Sequence, residues 1–180
     1  HPEIQFKMAF KTFAGLTKEQ EADIFSTQNE NHTNIRGYER YKAELTAKRD
    51  RALAIQRQLK AFNLTTKVDI GSQPNRVHNV NAIEELYRIF KKNGEEGLHY
   101  TFKLIEDAGW RDSTWAYKQR TLGGLSCTFE KGQNPNARAR LLCAMSASTC
   151  EEFLALATSE IGGGAGDHYA DKVKNYCLDL

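Results

Sequence analysis

The sequence predicts a mainly α fold, a compact multi-helix domain, and three observations predict it. Proline occurs only three times, at Pro2, Pro74 and Pro135, so long stretches are free of the residue that breaks a helix interior. Apolar side chains recur at helical spacing in one stretch after another: Tyr38, Tyr41 and Leu45; Ala52, Ile55, Leu59 and Phe62; Ile83, Leu86, Tyr87 and Phe90. Cap and stop signals fall between those stretches. The expectation is about eight or nine helices and at most two short strands, on a chain of 180 residues that can hold one sizeable core.

Taken in order, residues 1–14 read as a short N-terminal β arm and residues 15–180 as the helical domain. In the arm, Ile4, Phe6, Met8 and Phe10 alternate with Gln5, Lys7, Ala9 and Lys11, the period of a half-buried strand. It reads equally as the last strand of a preceding domain or as an edge strand of this one. A lone strand is unstable, so its apolar face predicts self-association or a β-rich neighbour. Thr17 and Gln20 then have capping-box spacing, with Glu19 and Glu21 in the first turn, and Ala22 and Phe25 share a helical face. Residues 63–81 hold Gly71, Ser72, Pro74 and Asn75, the punctuation of a loop, and Thr65–Ile70 is β-prone. Asn81 caps the next helix, which Asn93-Gly94 stops. A helix through Leu98, Phe102 and Ile105 ends at Gly109. Asp112 or Ser113 caps one carrying Trp115, Leu122, Leu125, Cys127 and Phe129. Gly123-Gly124 inside it means a break or a close approach to another helix. Asn134 and Pro135 open a helix with Leu141, Leu142 and Met145, and Ser148 or Thr149 caps one with Phe153, Leu154, Ala157 and Ile161. Residues 162–166 are a flexible link before a last helix with Tyr169, Val173 and Tyr176.

Several of these residues carry a resemblance. Leu16, Thr17, Glu19, Glu21, Ala22, Phe25, Asn29, Tyr41, Lys42 and Ala43 resemble the helical region that follows the N-terminal domain in one group of bacterial and phage proteins with the ParB/sulfiredoxin fold. Asn81-Ala82-Ile83 with Leu86-Tyr87, Leu104-Ile105 with Ala108-Gly109-Trp110, and Lys174-Asn175-Tyr176 are similar to later parts of that group. The resemblance touches most of the chain and implies a ParB-like protein, many relatives of which act on DNA. The D-G-Q-H-R-like signature that precedes this region in the group occurs nowhere between His1 and Leu180. The chain therefore reads as the back part of a longer protein, and the front domain's chemistry attaches to no residue here.

Motifs of catalysis and metal binding are not written in the chain. Residues 162–166 lack the Lys-Ser/Thr of a phosphate loop and follow a helix. His168 and Asp171 share a helical face without the further ligands a metal needs. His78 and His99 are isolated. No cofactor and no metal is expected, and an enzyme would need a site shared with another domain. Cys127, Cys143, Cys150 and Cys177 form no C-x-x-C pair and read as reduced, mostly buried thiols of a cytoplasmic protein. No apolar run has the length of a membrane span.

The basic stretch is what points to function. Arg36 to Lys60 holds eight Lys/Arg against Glu39, Glu44 and Asp50, +5 locally in a chain of +2 overall. Arg40, Lys48, Arg49, Arg51, Arg57 and Lys60 are the candidate nucleic-acid-binding residues, since a stripe of cations on a helical face neutralises phosphates. The other reading of a charge run is a solvated helix face, and with it an interaction or oligomerisation domain that never touches DNA. Whether the cations share one surface or lie on several separates the two. A second candidate is the helix after the Gly109–Ser113 turn, where Lys118, Gln119 and Arg120 would read bases, although Trp115 and Leu122 suit that helix to the core.

Overall fold

Seven α-helices and one two-stranded ladder are found among the residues that this computed structural model describes, namely 14–30, 37–66, 77–159 and the single positions 175, 177 and 179. The helices are α1 (Lys18–Glu30), α2 (Gly37–Thr46), α3 (Asp50–Ala61), α4 (Ile83–Asp107), α5 (Gln119–Ser126), α6 (Pro135–Ser146) and α7 (Cys150–Ser159). A 3-10 turn, Lys131–Gln133, precedes α6. Strands β1 (Thr65–Thr66) and β2 (Asn79–Val80) pair in parallel, Thr65 with Asn79 and Thr66 with Val80. The mainly α class stands, with fewer helices than the eight or nine expected. The N-terminal arm and the helix expected through Tyr169 and Val173 lie outside the described residues.

Local sequence fixes three of the seven helix starts. At α1 the Thr17 hydroxyl accepts from the Gln20 N–H at 3.3 Å, and the Gln20 side chain accepts from the Thr17 N–H at 2.9 Å. The same reciprocal pair recurs at α7 between Thr149 and Glu152. Asn134 accepts from the N–H groups of Asn136 and Ala137, with Pro135 opening α6. Each box satisfies N–H groups that a helix start otherwise leaves without an acceptor.

Asn93-Gly94 stops a helix as expected: Gly94, at φ 66°, ψ −162°, is non-helical, and the 25-residue span α4 is two helical pieces that meet there at a kink. Two expectations needed correction. Asn81 does not cap α4, whose N-cap position is Ala82 with no side-chain hydrogen bond. The helix expected from Asp112 or Ser113 begins only at Gln119. The Ser113 hydroxyl accepts from the Trp115 N–H at 3.1 Å, a local turn that competes with helix.

The core forms where α4 lies against α3 and α5. Leu86, Leu98, Phe102, Leu104 and Ile105 of α4 are buried, with Ala52, Ile55 and Leu59 of α3 and Leu122 and Leu125 of α5. Removing each large apolar side chain from water contributes roughly 1.5–3 kcal/mol. Edge-to-face rings extend this core at Phe62–Phe102, Phe102–Tyr117 and Trp110–Phe153. Gly123 is where α5 meets α4: a Cβ there would lie 2.9 Å from Glu85 Oε1, so the glycine permits a close approach.

Candidate functional site

Five of the six candidate cations fall into three separate places, and the sixth, Lys60, stands apart from them. Arg40 and Arg51 point inward to Glu44, which has no exposure to solvent. Arg51 grips both Glu44 oxygens at 2.9 and 2.5 Å, Arg40 Nε lies 3.7 Å from the same carboxylate, and the Tyr87 hydroxyl donates to it at 2.6 Å. Both guanidinium groups also stand over the Tyr87 ring, at 4.4 and 5.6 Å from its centre. Burial, and then the bond to Glu44, raises the Tyr87 pKa above the ordinary tyrosine value. Arg40 reaches on to Glu84 of α4 at 3.0 Å. This cluster ties α2, α3 and α4 together.

Lys48 and Arg49 sit at the turn between α2 and α3. Lys48 adopts φ 54°, and the turn closes with Lys48 N–H to Leu45 O and Arg49 N–H to Glu44 O, a Schellman end. From there the two side chains reach α1: Lys48 to Glu19 at 3.2 Å and Arg49 to Asp23 at 2.6 Å, with Arg49 also donating to the Thr27 hydroxyl. Residues 19, 23 and 27 are spaced by four, so they form one face of α1. Arg57 makes the third place, meeting both oxygens of Glu95 on α4 at 3.2 and 2.7 Å. The bonds from Arg57 and then Gln58 hold the Glu95 carboxyl below the usual range. Lys60 is exposed and makes no ion pair among the described residues. Five of the six cations thus meet five carboxylates, Glu19, Asp23, Glu44, Glu84 and Glu95. Only Glu44 of these lies in the basic stretch itself, so the neutralising partners come from elsewhere in the chain.

On its other side α1 forms a groove with α2 that the sequence did not point to. It is an open cavity of about 640 Å³ lined by Lys18, Glu21, Ala22, Phe25, Tyr38, Glu39, Lys42, Ala43 and Thr46. Phe25, which shares a helical face with Ala22 as expected, is 46% exposed. Lys18, Glu21, Glu39 and Lys42 are exposed or partly so, and none makes an ion pair among the described residues. One apolar stripe on an otherwise polar α1 was the available signal: α2 covers Ala22 only in part and leaves Phe25 to solvent.

The second sequence candidate lies at the start of α5. Lys118, Gln119 and Arg120 are exposed there. Leu122 is buried as expected, whereas Trp115 stands before the helix, 37% exposed, with Lys118 Nζ 3.6 Å from the centre of its ring. Cavities of about 300 and 310 Å³ flank this ridge, one lined by Asn79, Asn81, Thr114 and Tyr117, the other by Arg120, Thr121 and Leu154.

Among the described residues no group of His, Cys, Asp and Glu could hold a metal ion, and no helix is long and apolar enough to cross a membrane. The four cysteines are free; of these thiols, expected to be mostly buried, Cys150 and Cys177 are buried, which pushes them up to about 11 and about 12, while Cys127 is partly buried and Cys143 exposed. No family model, no curated protein and no solved structure matches the chain.

Proposed function

We propose that this chain is a non-catalytic helical interaction module, and that its Arg36–Lys60 stretch is internal architecture more than a DNA-binding face. One observation carries the reading: five of the six candidate cations are spread over three places and pair with five carboxylates, and of the six Lys60 alone makes no ion pair among the described residues. Phosphate affinity scales with the number of counterions released. A cation already paired with a carboxylate must exchange that partner before it gains a phosphate. The ParB-like resemblance fits a module that serves a neighbouring domain, and free thiols fit a cytoplasmic setting.

A second reading keeps nucleic acid as the partner, and Lys118 favours a different surface for it. It makes no ion pair among the described residues and lies on an exposed tryptophan beside Gln119 and Arg120, a group that suits phosphate contact and base stacking. Fluorescence anisotropy with labelled duplex and single-stranded DNA, titrated across salt, separates these readings. The interaction module predicts weak binding whose salt slope is unchanged in Lys48→Ala/Arg49→Ala/Lys60→Ala, a change that leaves the buried Glu44 cluster intact. A slope of roughly −3 to −4 on duplex, flattened by that triple change, returns the function to the basic stretch. A slope lost only in Lys118→Ala/Arg120→Ala moves it to α5.

A further inference from the structure

The groove between α1 and α2 points to its own occupant, and we infer that it is the docking surface for a second copy of this chain. The inference rests on the interaction-module reading and names the partner. Three features of the surface lead to it.

The first is apolar. Phe25 is a large ring at 46% exposure, set against Tyr38, Ala22 and Ala43 in an open cavity of about 640 Å³. The second is electrostatic. Lys18 and Glu21 border the groove from α1, and Glu39 and Lys42 from α2. Two cations and two anions sit on one rim, and none has an ion-pair partner among the described residues. Elsewhere on these helices charges are matched within the chain, as Glu19 is with Lys48, Asp23 with Arg49 and Glu84 with Arg40. A two-fold interface sets patch i against j and j against i, so a rim with both signs in equal number complements itself. A nucleic acid would meet two carboxylates here, and an acidic or basic partner would be repelled by half the rim. The third feature is accessibility. Lys48 and Arg49 hold α1 on the opposite face, so the groove side of α1 is left uncovered among the described residues.

Size sets the strength. Helices of 13 and 10 residues are about 20 and 15 Å long, and side by side they offer a footprint on the order of 400 Å². That is about half of the roughly 800 Å² per partner of a standard stable interface. The dimer is therefore concentration-dependent, with a dissociation constant in the micromolar range or weaker.

Sedimentation equilibrium of the full chain, from low micromolar to near-millimolar concentration, tests this. The parent should fit a monomer–dimer equilibrium, and Phe25→Glu should raise the dissociation constant at least tenfold. Lys18→Glu/Lys42→Glu makes the rim wholly acidic, and Glu21→Lys/Glu39→Lys makes it wholly basic. Each should be monomeric alone, and the two mixed in equal amounts should recover the dimer. Circular dichroism of each variant confirms that the helices persist, since every substitution is at a surface position. A parent that stays monomeric throughout, or a mixture that fails to recover the dimer, overturns the inference. A parent dimer indifferent to Phe25→Glu overturns the surface while leaving the interaction module standing. A monomer that binds DNA with a steep salt slope removes that reading itself.

Discussion

Glu44 shows how one side chain redirects the reading of its neighbours. In the sequence it is one of three acids among eight basic residues, a candidate for a solvated helix face. In the fold it has no exposure, and Arg40, Arg51 and Tyr87 all converge on it. The side chains that look most available to a phosphate are thus partners of a buried carboxylate. The sequence shows the cations but not this, because the partners lie 43 residues away at Tyr87 and 7 residues away at Arg51. Removing one member of a buried ionic group leaves the others without compensation. Glu44→Ala should therefore destabilise the fold by about 3 kcal/mol, near the lower end of the range for buried pairs because the Arg51 side chain is 38% exposed and can turn to water. Tyr87→Phe removes one hydrogen bond to a charged acceptor and should cost about 1.5–3 kcal/mol. Urea unfolding followed by circular dichroism measures both.

At the scale of elements, most of what is local in sequence was legible. The capping boxes of α1 and α7 and the Asn134-Pro135 start of α6 need only residues two or three apart, and each occurs where those residues stand. The Asn93-Gly94 stop signal was legible too: the helix breaks at Gly94, and Gly97, Leu98 and Thr101 beyond the kink are buried. The conformation at Gly94 belongs to a region that side-chain-bearing residues almost never enter. A Cβ built there meets nothing within 4 Å, so the cost of one is conformational and not a clash. Gly94→Ala should destabilise by roughly 1–3 kcal/mol, read from the shift in the urea midpoint at constant slope. A boundary set by hydrogen bonds outside any helix was harder, as the late start of α5 at Gln119 shows. Ser113 engages the Trp115 N–H, and the Thr121 hydroxyl donates to the Trp115 carbonyl at 2.8 Å, so the peptide groups around Trp115 are satisfied without helix.

For the molecule as a whole, the sequence placed the α4 core correctly through Ile83, Leu86, Leu98, Phe102 and Ile105, because an amphipathic period reports burial directly. It could not place charge against charge, since ion pairs between elements depend on tertiary contacts that no spacing encodes. Burial of phenols has a consequence for the whole fold at high pH. Burial raises the pKa of Tyr87 and Tyr100 and pushes Tyr117 up to about 12. The folded state binds these protons more tightly than the unfolded state does. Stability from them is therefore full below about pH 10, the ordinary tyrosine value, and is lost as pH rises through the folded values. Thermal unfolding should show a falling midpoint above about pH 10, with tyrosinate absorbance at 295 nm rising at the melt. The two tryptophans give such experiments separate vantage points. Trp110 is 4% exposed, with its ring N–H on the Ser148 carbonyl, while Trp115 lies at the surface beneath a lysine ammonium. The chain thus carries two built-in optical probes: a dim-to-solvent emitter that reports on the interior, and a red-shifted one beside a positive charge, which draws iodide and repels caesium, so that a pair of ionic quenchers can switch off the surface signal selectively and leave the interior one to be followed by itself.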